Sequence, residues 1–134
     1  MMLVLLTASL ALAQELTYER VAALHTDSAV QLPPGSVHVT GGWCTDFQEA
    51  AIGDNLEVHC YWFDQHAILV SGALSRAMSA AGYAVREEEM LPNGLTATQT
   101  WMGTGPAQQP LIGFTIQPLP WDVNTTMLVT LAPR

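Results

Sequence analysis

The sequence predicts an α+β fold: a mostly antiparallel sheet of about five to six strands, one main helix packed on one face, and a single disulfide. Three observations carry this reading. Gln65 to Ala81 shows helical apolar spacing, with Val70, Ala73, Leu74, Ala77, Met78 and Ala81 on one side. The segments around it read as short alternating strands separated by Gly, Pro and Asn turns. The only two cysteines, Cys44 and Cys60, stand close together in the chain. Consecutive hairpins after the helix argue against a doubly wound parallel sheet. An all-β sandwich with one helical excursion is the second choice.

Taken in order, residues 1–13 read as a signal peptide. Leu3 to Leu12 is an apolar run of about ten residues, too short for the roughly 20 that span a bilayer. It ends in Ala11-Leu12-Ala13, a small-x-small site that places cleavage before Gln14. Residues 14–134 then form one small domain, within the size of a single core. Gln14 to Gln31 is ambiguous: Tyr18, Val21, Ala22 and Leu24 would share one face of a short helix capped by Thr17. Ser36 to Thr40 alternates as a strand, and Gly41-Gly42 ends it. Thr45 to Asn55 reads as a loop, or a loop with one helical turn.

Leu56 to Phe63 is a strand with Leu56, Val58, Cys60 and Trp62 on one face and Glu57, His59, Tyr61 and Phe63 on the other. The first face is the expected core side. Asp64 would cap the main helix, and Gly82 would stop it in a left-handed conformation. Tyr83 to Glu87 and Leu95 to Met102 form a hairpin about Pro92-Asn93-Gly94. Leu111 to Gln117 and Thr125 to Ala132 supply the last two strands.

Composition narrows the function. Hydrophobic residues make up 49% of the chain and charged residues only 12%, which excludes disorder through charge. Lysine is absent, and four arginines face twelve acids for a net charge of −8. That balance cannot neutralise a phosphate backbone, so neither nucleic acid nor an anionic membrane surface is an expected partner. No segment of the mature chain is long and apolar enough to span a membrane. The expected location is secreted or periplasmic, with a bacterial envelope favoured by the lysine-free composition.

Export bears directly on the cysteines. In an oxidising compartment a lone pair in a small domain is expected to bond. Closing a loop of about 17 residues stabilises the fold by roughly 3 kcal/mol in the chain-entropy model. A redox pair would show a C-x-x-C motif, and a zinc site would need further close ligands.

Two constellations compete for function. Trp43 follows a Gly-Gly turn and Trp121 follows Pro-Leu-Pro, so both sit on connections where an aromatic ring can anchor a protein, a peptide or a glycan. If the strands at Val37 and Val58 are neighbours, His38, Glu57 and His59 share the face away from the expected core, a donor set suited to zinc or copper. Their spacing matches no metal motif, so solvent-facing or capping histidines, His66 among them, are the plainer reading. No G-x-S-x-G occurs, and carboxylate pairs among Asp46, Glu49, Asp54 and Glu57 are unremarkable. The leading expectation is therefore an exported non-catalytic domain, without a cofactor, that binds through loop aromatics. The alternative is a small metal-binding protein or metal-dependent hydrolase using His38, His59 and Glu57.

Overall fold

The computed structural model describes residues 15–89, 96–118 and 125–134. The expected signal segment, the Pro92-Asn93-Gly94 turn and Trp121 lie outside these residues. Within the described residues seven strands form one sheet: β1 (Thr17–Arg20), β2 (Val37–Thr40), β3 (Leu56–Phe63), β4 (Ala84–Glu89), β5 (Thr96–Thr104), β6 (Pro110–Pro118) and β7 (Thr126–Pro133). Among the described residues two α-helices interrupt them, α1 (Trp43–Ala51) before β3 and α2 (Ala67–Ala80) after it. The spatial order is β1-β2-β3-β7-β6-β5-β4, and every pairing is antiparallel. The chain lays down three strands, crosses the sheet through α2 to the far edge, and returns strand by strand. Strand β7 closes the sheet by pairing with β3 along its whole length, Leu56 opposite Pro133 through Phe63 opposite Thr126.

The α+β class holds, with more sheet and one more helix than expected. The ambiguous segment after Gln14 supplies an edge strand, β1, rather than a helix, and Tyr18 is exposed. An isolated bridge between Ala23 and Gln31 folds the following loop back on itself. The segment read as a loop after Thr45 belongs to α1, which begins at Trp43. Its apolar residues Trp43, Cys44, Phe47 and Ala51 recur at helical spacing, a signal masked by its short length.

Both faces of the sheet are buried, which corrects the expected one-sided core. Helix α2 and the 21–32 segment cover the face of Tyr61 and Phe63, with Leu24, Val30, Val70, Leu74, Met78, Trp101, Leu111 and Leu128 in the larger core. Helix α1 covers part of the opposite face, where Val39, Cys44, Ala51, Val58, Cys60 and Val129 form the smaller one. Trp101 fills the larger core, and Trp62 packs half-buried against the smaller. His66, not Asp64, caps α2: its Nδ1 accepts the Ile68 N–H at 3.1 Å. Gly82 stops the helix at φ 91°, where a side chain would be strained.

Cys44 and Cys60 form the disulfide, with Cα atoms 5.9 Å apart and both residues fully buried. A nine-residue helix is too short to persist alone in water, so the bond to β3 and the apolar contacts beneath it hold α1 in place. Replacing both cysteines by alanine should lower unfolding stability by about 2–5 kcal/mol, read as a shift in the urea midpoint. An unchanged midpoint would show that packing alone holds α1.

Candidate metal centre

The register of β2 on β3 places His38 opposite Tyr61, and His59 stands two residues earlier on the same face. That face belongs to the larger core, not to solvent as the sequence suggested. The histidines occupy its end, where the 21–32 loop replaces α2 as cover. His38 Nε2 and His59 Nδ1 are hydrogen-bonded at 3.1 Å. His25, carried by the loop, joins them: its ring stacks on His38 at 5.1 Å between centroids and lies 4.5 Å from the His59 ring. One nitrogen from each of the three falls within 4.8 Å of the others.

Two further hydrogen bonds orient the group. The His59 Nε2–H donates to Glu57 Oε1 at 2.7 Å. This bond, more than any other influence, holds the Glu57 carboxyl below its ordinary range, so it stays an acceptor. The same bond fixes the His59 tautomer and leaves the Nδ1 lone pair facing His38. The His25 backbone N–H donates to the Tyr61 hydroxyl at 2.8 Å. Tyr61 is fully buried, and its phenol is pushed up to about 12, chiefly by desolvation.

The spacing can be set against coordination chemistry. Zinc–nitrogen bonds of about 2.0–2.1 Å in a tetrahedral site imply a nitrogen–nitrogen edge of roughly 3.3 Å. His38 and His59 already stand at that separation within a few tenths of an ångström. A carboxylate behind a ligating imidazole is the usual outer support of such sites, raising ligand basicity and fixing the ring. The donor set fits Zn2+ or Cu2+: three imidazoles, with no thiolate.

The electrostatics of the three imidazoles point the same way. Burial first, then the neighbouring His59 and His25, lowers the proton affinity of His38, while Glu19 opposite it on β1 raises it. A folded value below 6.5 means that the unfolded chain binds the extra proton, so this contribution to stability is lost as pH falls below 6.5. Glu57 acts in the same direction below its ordinary 4.5. In chelator-treated protein the thermal midpoint should therefore fall as pH drops from 7.5 to 5. His38→Gln should flatten that fall, and an unaltered profile would remove His38 as its source.

Of the expected site residues, His38, Glu57 and His59 converge, and the structure adds His25. No spacing marks His25 in the sequence: it lies on a loop, and the fold of that loop against Tyr61 brings it to the pair. His66 stays apart as a helix cap. Trp43 opens α1, half-buried and edge-on to Phe47 at 6.1 Å, with its buried indole N–H finding no partner among the described residues. A groove of about 520 Å³ beside the cluster is lined by Glu57, His59, Gln48, Glu49 and Arg134. Among the described residues no helix is long and apolar enough to cross a membrane. The chain matches no known family model, no curated protein and no solved structure.

Proposed function

We propose that this chain is an exported metal-binding protein that holds one late first-row divalent cation, Zn2+ or Cu2+, on His25, His38 and His59. The observation that carries the reading is the 3.1 Å approach of His38 Nε2 to His59 Nδ1, with a third imidazole against both. Export is supported by the small-x-small site before Gln14 and by the disulfide, which persists in oxidising compartments. Binding fits better than hydrolysis. A general base must be free to take a proton, whereas Glu57 is held by His59, and Asp27, the next carboxylate along the loop, accepts from the Tyr83 hydroxyl at 2.6 Å. Three protein ligands leave a coordination position for water or an incoming donor, which suits an ion that is carried and released.

The test is direct titration of purified protein, cleared by chelator, with Zn2+ and separately with Cu2+. One equivalent should bind and raise the thermal midpoint, because a ligand bound only by the folded state stabilises it. No saturable binding of either ion would end the proposal. A protein, peptide or glycan partner at Trp43 and Trp121 is a separate proposal, and half-buried Trp43 offers it only part of a ring.

A further inference from the structure

Resting on that reading, we infer that Tyr61 is the positioning residue that makes the site three-coordinate, by holding His25 against His38 and His59. His38 and His59 sit on adjacent strands, so the ladder sets their spacing. His25 has no such support: it is exposed and belongs to no strand. Its neighbour Leu24 is buried, and the Leu24 N–H donates to the Val30 carbonyl, which closes the loop on itself. What fastens His25 to the sheet is the bond from its own N–H to the Tyr61 hydroxyl.

That hydroxyl is a fixed point. The Tyr61 ring is fully buried in the larger core and sits 5.3 Å from the His38 ring. The residue lies on β3 two positions from His59, so one strand supplies both a ligand and the anchor for a second ligand. The acceptor is also specific to this residue, since phenylalanine fills the same space without an oxygen. A second phenol, Tyr83, holds the loop two residues on, through Asp27. Loss of the Tyr61 oxygen therefore leaves the loop attached while freeing His25 itself.

The experiment compares Zn2+ affinity in wild type, Tyr61→Phe, His25→Ala and the double variant, with Cu2+ electron paramagnetic resonance counting nitrogen ligands. Tyr61→Phe should weaken binding by about 10-fold, the lower range for outer-shell support, and should lose one nitrogen from the Cu2+ spectrum. On the His25→Ala background it should cost nothing further, because the ligand it places is already gone. A Tyr61→Phe protein that melts lower but binds like wild type with three nitrogens would make Tyr61 merely structural and overturn the inference. So would an equal further loss in the double variant. If Tyr61→Phe does not fold, amide exchange in wild type decides: the His25 N–H should exchange more slowly with Zn2+, and unaltered exchange would overturn the inference. Absence of binding in wild type, by contrast, would sink the metal reading itself.

Discussion

His59→Ala should reduce Zn2+ affinity by on the order of 10²-fold or more, while Glu57→Gln reduces it by about 10-fold. Removing an outer-shell partner typically costs 10–100-fold, and removing a direct ligand should cost at least the upper end of that range. The ordering follows from geometry. His59 contributes the nitrogen that faces His38 at 3.1 Å, whereas Glu57 acts only on the far nitrogen of the same ring, at 2.7 Å. Glutamine keeps an acceptor for the Nε2–H but loses the charge that raises the basicity of the ring. Competition with a chromogenic chelator measures both variants. If Glu57→Gln bound more weakly than His59→Ala, Glu57 would be a ligand and the assignment of His59 Nδ1 would fail.

Trp101→Ala should destabilise the domain by about 3–5 kcal/mol, the usual range for removing a buried large aromatic. For a domain of this size that lowers the thermal midpoint by roughly 10–20 °C. Trp101 is 1% exposed and lies across Gly113, its partner on β6. A β-carbon at Gly113 would come within 2.9 Å of the indole Cε3, so this glycine leaves the space that the ring fills. Gly113→Ala should therefore destabilise by about 1–3 kcal/mol through overpacking. In Trp101→Ala the same substitution should become nearly neutral, because the clash is gone. Full additivity of the two losses in calorimetry would show that they do not share one contact.

Part of the site is written in the local pattern of β2 and β3. His38, Glu57 and His59 share a face because strand alternation is local, and that much was legible. Local pattern alone points that face to solvent, because Val58, Cys60 and Trp62 make the more apolar row of β3. Only the covering of both faces, by α1 on one and α2 on the other, shows that the histidines border the larger core. His25 was beyond reach for a different reason. A loop residue reveals its neighbours only through the fold of the loop, here set by the Ala23–Gln31 bridge and the Tyr61 hydroxyl.

By itself the sequence determined the long helix, its glycine stop, the later strands and the bond between Cys44 and Cys60. These follow from periodicity, turn chemistry and the small number of sulfurs, all of which act over a few residues or admit one pairing. Only the folded chain shows that both faces are covered and that three imidazoles meet. Those outcomes depend on strand register and loop contacts between segments far apart in the chain, and no local pattern encodes which distant residue will face another.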